Sequence, residues 1–310
     1  MGGVLEVVLP VFALIGLGFG AAKRKIVQQP GFDGMSMFVF SLAAPALIFV
    51  GGTRPHESAG GAVTALLVGC VVVFLGAILG GRRLFGMNLA EAALFGLACV
   101  FGNSLMMGVP IILAAYGQPG VPPMLGILAL QTMVLLGMAT VAVEMGLHES
   151  APWGRVLKAT ALGVVKSPIV MAVLAAMAWK ATGVPVPGPA VRTMDLLGAS
   201  APAVALFCLG GGLAGISGAA AWRETLAIIL VKLLALPALV WLIAIAIGAT
   251  PIETAVAVTM AALPTGANAF IFARRYTIGM DRSGAAVVVT TAISVLTLSV
   301  LIGHFRGTLP

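Results

Sequence analysis

Charge is what this sequence has least of. Asp, Glu, Lys and Arg make up 9% of its 310 residues, whereas a soluble domain carries roughly 25%. That scarcity excludes a water-soluble globular protein. Histidine is nearly as rare: His56, His148 and His304 all fall in loops or at the ends of apolar runs. There is no His-Glu-x-x-His pair, no aspartate-rich diphosphate site and no Walker loop. An intramembrane serine protease would need a histidine at depth, and ATP-driven pumping would need a partner subunit. The chain is therefore not expected to be an enzyme, and neither cofactor nor metal is expected. Cys70, Cys99 and Cys208 all lie inside apolar runs, so no disulfide framework is implied and they read as small buried hydrophobes.

What the chain has instead is apolar length. It is 60% hydrophobic with a mean hydropathy of +1.13. A helical membrane span needs about 20 apolar residues, and ten such stretches can be placed. They run near 3–22, 32–52, 61–81, 90–116, 122–147, 156–181, 193–216, 222–247, 252–274 and 283–305. Runs of this length exclude the ten-residue alternating segments of a β-barrel. The class expected is an all-α integral membrane protein of ten transmembrane helices, multi-pass in the cell membrane. No stretch between the spans is long enough for a soluble domain.

The net charge of +7 is a topology signal, and nucleic acid is excluded as a partner. Loops after the odd-numbered spans hold Lys23, Arg24, Lys25, Arg82, Arg83, Arg155, Lys158, Arg223, Arg274, Arg275 and Arg282; the other side holds Arg54, Lys180, Arg192 and Arg306. By the positive-inside rule, both termini lie on the non-cytoplasmic side and the loop near 148–155 is cytoplasmic. A cleavable signal peptide places its basic residues before the apolar core. Here Lys23-Arg24-Lys25 follows it and Glu6 precedes it, so cleavage after Ala22 is not expected.

The spans divide at Glu149-Ser150-Ala151-Pro152 into two sets of five, residues 1–150 and 151–310. Because five is odd, the second set enters the membrane inverted. Ser41-Leu42-Ala43-Ala44-Pro45-Ala46 is echoed by Ala199-Ser200-Ala201-Pro202-Ala203, and the interval from Pro45 to Pro110 nearly matches that from Pro202 to Pro264. Such weak similarity at near-constant offset is what an old inverted repeat leaves. Pro45 and Pro202 each remove a helical hydrogen bond and predict kinks.

Spans 4 and 9 are interrupted more severely, at Phe101-Gly102-Asn103-Ser104-Leu105-Met106-Met107-Gly108-Val109-Pro110 and at Ala261-Ala262-Leu263-Pro264-Thr265-Gly266-Ala267-Asn268-Ala269-Phe270. Unpaired backbone at bilayer depth costs several kcal/mol and persists only where it is buried in protein or lines a cavity. Interrupted spans at matching positions of two halves point to the substrate site of a secondary transporter. Proline suits the first residue of a half-helix, so new half-helices are expected to begin at Pro110 and Pro264. Their positive dipole ends would make an anion site.

These motifs resemble those of the auxin efflux carrier family. Asn103 to Pro110, followed by Tyr116-Gly117, resembles its fourth-span motif; Leu263 to Phe270, followed by Ala273-Arg274-Arg275-Tyr276, resembles its ninth. Phe38-Val39-Phe40 through Phe49 is similar to its second span, and Asp195-Leu196-Leu197-Gly198 through Pro202 to its seventh. The resemblance implies a ten-helix fold of inverted five-helix repeats, shared with bile-acid sodium symporters. In that fold spans 1, 2, 6 and 7 form a scaffold, and spans 3–5 and 8–10 a moving transport domain in which helices 4 and 9 cross. Plant members export the carboxylate auxin, and bacterial relatives are similar to carriers of malonate, malate and other small organic acids. Ile48 stands where plant carriers usually have a polar residue. The long cytosolic loop of many plant members is absent.

The implied function is elevator-type, secondary active or potential-driven transport of a small organic anion. Two alternatives stand beside it: a receptor that binds a carboxylate without translocating it, and a sodium-coupled symporter. Asn103 and Asn268 are the sharpest substrate candidates, each otherwise a structural amide patching freed backbone. Pro264 and Asn268, four apart, would share a helical face. Pro110, Ser104, Thr265 and the mid-span Gln131 complete the candidate set; the hydroxyls could equally cap half-helices and the amide bridge two helices. Lys232, deep in span 8, is a functional candidate by default, as an attraction for an anion or a partner to a carboxylate, although its stem could snorkel. Asp195 is a candidate for charge coupling or a helix-start residue. Lys166 and Glu144 read as interfacial. The coupling ion is left between a proton and sodium, with potential-driven or proton-linked transport ranked first. The lipid bilayer, a small organic anion and a second copy of the chain in a homodimer are the partners carried forward.

Overall fold

The computed structural model describes residues 2–53, 60–147, 168–214 and 222–308. Arg54, His56, His148, Arg155, Lys158, Lys166 and the start of the sixth expected span lie outside these. Within the described residues the chain is helical, as an apolar sequence must be when every backbone group has to be paired inside its own segment. The helices are α1 (Gly2–Lys23), α2 (Gln29–Phe38), α3 (Ala44–Thr53), α4 (Gly60–Leu84), α5 (Leu89–Val100), α6 (Val109–Tyr116), α7 (Val121–Leu147), α8 (Pro168–Ala181), α9 (Gly188–Ala199), α10 (Ala201–Leu213), α11 (Trp222–Leu230), α12 (Leu236–Ala246), α13 (Pro251–Ala261), α14 (Ala267–Tyr276) and α15 (Met280–Thr308). Among the described residues, six segments are long and apolar enough to cross a membrane: Gln29–Thr53, Gly60–Leu84, Gln118–Leu147, Gly188–Leu213, Trp222–Ala246 and Met280–Thr308. Shorter apolar helices stand beside them, including α5, α6 and α13.

Three prolines inside these segments are accommodated in one way. A π-helical turn occupies Val39–Ala43, Ser104–Gly108 and Val231–Ala235, and Pro45, Pro110 and Pro237 each follow two residues after it. In each case the residue before the proline donates to a carbonyl five residues back: Ala44 to Val39, Val109 to Ser104, Leu236 to Val231. Widening the turn by one residue moves backbone away from a ring that would otherwise clash with the preceding turn. Pro202 behaves differently. The helix is interrupted at Ser200 and restarts with Pro202 as its second residue, where no N–H is required.

The helices fall into two packing groups. In the first, α1 lies on α10, and α3 lies on α8 and α9. The α1–α10 contact is backbone to backbone: a Cβ on Gly18 would strike the Phe207 carbonyl, and one on Gly210 the Ile15 carbonyl. Small residues permit this approach where lipid gives no hydrophobic incentive for helices to associate. The second group surrounds α5 and α13 with α4, α7, α12 and α15. Its interior is a continuous apolar core including Leu66, Leu94, Leu97, Ile112, Ile127 and Val258.

Candidate functional site

The site is built on two helices that stop short. Asn88 starts α5 with a reciprocal cap, its side chain accepting from Glu91 N while the Glu91 carboxylate accepts from Asn88 N. Thr250 starts α13 in the same way with Glu253. Each half-helix then runs 12 or 11 residues, about 18 Å at 1.5 Å per residue, against a hydrocarbon thickness of about 30 Å. Both therefore end inside the apolar layer. Asn88 to Gly102 and Thr250 to Pro264 are equal intervals in sequence.

The two ends satisfy each other. Asn103 N donates to Pro264 O at 2.9 Å and Gly266 N to Phe101 O at 2.8 Å, forming an antiparallel bridge between Gly102 and Thr265. Backbone that would be orphaned at depth is thus paired across the two halves of the chain. Thr265, fully buried, donates through Oγ1 to Ala98 O at 2.9 Å, and its N–H donates to Thr290 Oγ1 at 3.0 Å. Its hydroxyl closes the C-terminal turn of α5.

Beyond the bridge the chain becomes helical again, but not where the prolines suggest. The second half of span 4 resumes at Ser104, with Pro110 one turn further on. The second half of span 9 begins at Ala267, and Pro264 sits in the extended bridge as a hydrogen-bond acceptor. Pro264 and Asn268 accordingly do not share a helical turn. A proline placed in extended backbone leaves its carbonyl free to accept across the crossing, which a helical N1 position would not.

The polar candidates divide. Asn103, Ser104 and Gln131 come together: Ser104 Oγ donates to Gln131 Oε1 at 2.7 Å. Asn103 is 7% exposed, its backbone carbonyl accepts from Met107 and Gly108, and its side-chain Nδ2 has no partner. It does not cap the helix it precedes. Asn268 lies in the first turn of α14 and is exposed. Asp195 sits in the second turn of α9, which begins at Gly188, so it is not a helix-start residue; it lines a cavity of about 230 Å³ with Leu47, Ile48, Leu113, Gln118 and Leu125. A second cavity of about 510 Å³ is bounded by Ile48, Gly60, Val63, Leu125, Val173 and Lys180. Ile48 and Leu125 border both, and none of the crossover residues lines either. Glu144 accepts from Tyr276 Oη at 3.1 Å.

Lys232 is fully buried within the third π-turn, so it does not snorkel. Its ammonium donates to the carbonyl of Ala261, the last residue of α13. Among the described residues the titratable side chains bearing on it are the thiols of Cys70 and Cys99, and no carboxylate pairs with it. Glu253 was not singled out from sequence, yet it ties two helices. Besides capping α13, its Oε1 accepts from Gly61 N, in the first turn of α4, at 2.8 Å. Thr250-x-x-Glu253 announces the cap in sequence; nothing announces the reach to Gly61.

Two short helices meeting at their C-terminal ends in a polytopic bundle, with unwound backbone between them, define a membrane transporter. The chain belongs to the auxin efflux carrier family of membrane transport proteins, whose family model, described as "Membrane transport protein", matches residues 3–302. It is 31% identical over 324 aligned positions to a protein of Rhizobium meliloti (strain 1021) named "Putative malonate transporter", covering 100% of this chain and 98% of that one.

Proposed function

We propose that the protein is a secondary carrier of a small dicarboxylate or related organic anion, working by elevator-type alternating access. The observation that carries this reading is the crossover: two helix starts, at Ser104 and Ala267, next to an unpartnered Asn103 amide and an exposed Asn268. Helix N-termini offer free N–H groups and about half a positive charge each. A carboxylate fits there, and no fixed arginine is needed to hold it. Binding of that kind is modest, which suits a carrier that has to release its cargo.

In this reading the ten spans form two inverted five-helix repeats, residues 1–150 and 151–310. The first packing group is the scaffold and the second the moving domain. The two cavities beside Ile48 then lie along the sliding surface, and their apolar walls favour movement over adhesion. The name of the Rhizobium relative makes malonate the first substrate to try. The membrane potential contributes roughly 2.3 kcal/mol per charge at 100 mV, enough to expel an anion from a negative-inside cell.

The test is uptake and counterflow in proteoliposomes with malonate, malate, succinate and monocarboxylates. Saturable counterflow of at least one of them is expected. Saturable binding with no counterflow for any ligand would establish a receptor instead.

A further inference from the structure

The crossing of α5 and α13 raises an electrostatic problem that the anion site does not solve. Both helices end there, and both ends are C-terminal. Each carries about half a negative charge, concentrated on unpaired carbonyls, in surroundings where water cannot screen it. Some of these carbonyls are satisfied by neutral donors: Ala98 O by the Thr265 hydroxyl and Leu97 O by Phe101 N. The net dipolar charge of the two ends remains. A single positive charge, placed between them, would cancel it.

Lys232 is that charge. Its ammonium bonds the terminal carbonyl of α13 at Ala261. It also stands against the end of α5, since a Cβ on Gly102 would be 3.5 Å from Nζ and 3.3 Å from Met260 O. The four-carbon stem is wholly buried, so the charge cannot reach an interface. An ammonium carries three donors and no acceptor, which suits a pocket of carbonyl oxygens and neutral thiols. The helix carrying it is distorted at that level, in the π-turn Val231–Ala235 ahead of Pro237.

We propose that Lys232 is a tethered cation of the crossover, occupying the place a bound inorganic cation would otherwise take, so that carrier function requires no sodium. Lys232 is a positioning residue: it holds two helix ends together, and through them the N-terminal ends that face the anion. The proposal rests on the carrier reading above for its transport consequence, but its structural part can be read without any substrate.

Two variants test it. Lys232→Ala removes the charge and leaves a hole; Lys232→Met removes the charge and fills the hole. Purified protein is melted in choline chloride, sodium chloride and methylammonium chloride, with no carboxylate present. Lys232→Ala is expected to melt below the parent in choline and to be raised selectively by methylammonium or sodium. The parent and Lys232→Met are expected to respond to neither. In proteoliposomes the parent should transport equally with and without sodium. Lys232→Met should fold yet lose at least about tenfold in transport, the factor that about 1.4 kcal/mol corresponds to. Transport by Lys232→Met at the parental rate, or a parent that requires sodium, overturns the proposal. So does a Lys232→Ala protein whose melting ignores every small cation. Absence of transport by the parent with every anion would instead count against the carrier reading, leaving the melting result to stand by itself.

Discussion

The N–H of Asn103 and the carbonyl of Pro264 meet at 2.9 Å, so the break in one half of the chain is closed by the break in the other. Neither span could be interrupted alone without stranding backbone in the apolar layer. The crossing is for this reason a single cooperative feature, and damage on one strand of it should be felt on both.

Gly266 offers the sharpest test of that coupling. A Cβ there would stand 2.9 Å from the Gly102 carbonyl oxygen and 3.1 Å from its carbon, which are backbone atoms held in the bridge. Gly266→Ala is expected to cost about 1–3 kcal/mol, the usual range for overpacking, and to abolish transport. At Gly108 a Cβ would meet only the ends of the Leu263 and Met260 side chains, which can rotate away. Gly108→Ala should therefore keep most of the parent's melting temperature. Equal losses at the two positions would show that the bridge backbone has room to move.

Much of this was legible in sequence, because the membrane leaves few choices. Among the described residues the apolar runs mark the helices to within a few residues, and Gly, Asn and Pro at depth mark spans 4 and 9 as broken. The exact restart of each half-helix was not legible. Proline at N1 is favourable, but Pro264 does better as an acceptor in extended backbone, and Pro110 is absorbed by a π-turn. Local preference could not foresee a partner strand more than a hundred residues away. Lys232 stood out as an ionisable residue at depth, whereas its contact with Ala261 depends on how span 8 packs against span 9. Pro237 passed unnoticed, since it lacks the glycines and amides that flag the other breaks.

The Ser104–Gln131 hydrogen bond, 2.7 Å long and buried, ties the restart of span 4 to α7. Ser104→Ala and Gln131→Ala should each lower stability by about 0.5–1.5 kcal/mol. Combined, they should cost less than their sum, because the second removal leaves no orphan. A double-mutant cycle on melting free energy measures this, and strict additivity would mean that the pair contributes nothing as a pair.

Glu253 accepts from the first turns of two helices at once, α13 through Thr250 and α4 through Gly61. Glu253→Gln keeps the shape but cannot accept with both oxygens, and should destabilise by about 1–3 kcal/mol, the scale of a hydrogen bond to a charged group. Glu91→Gln, which disturbs an exposed cap within one helix, should cost less. The order of the two melting temperatures decides the matter.

By the positive-inside rule, Arg82 and Arg274 are predicted to lie on the cytoplasmic side and both termini on the opposite one. Single cysteines introduced at these two positions, with Cys70, Cys99 and Cys208 replaced, should resist an impermeant thiol reagent in intact cells and react after permeabilisation. Labelling at either position from outside would invert the topology.

Asn268 gives the most direct test of where the anion sits. It is exposed in the first turn of α14, so Asn268→Ala removes a hydrogen-bond donor without opening a hole in the core. Melting should change little, while substrate affinity falls by about tenfold, the loss expected when one hydrogen bond of about 1.4 kcal/mol to a charged group is removed. Asn268→Asp keeps the size of the side chain and reverses its meaning for an anion, placing a negative charge where a donor stood. At neutral pH it should be the worse of the two, although a carboxylate near a helix N-terminus is if anything good for the helix itself. Stability and function are thus predicted to move in opposite directions in the same variant. A general folding defect could not produce that pattern. If Asn268→Asp instead carries malonate or any other transported carboxylate as well as the parent, the anion is bound elsewhere, and the cavities beside Ile48 become the place to look.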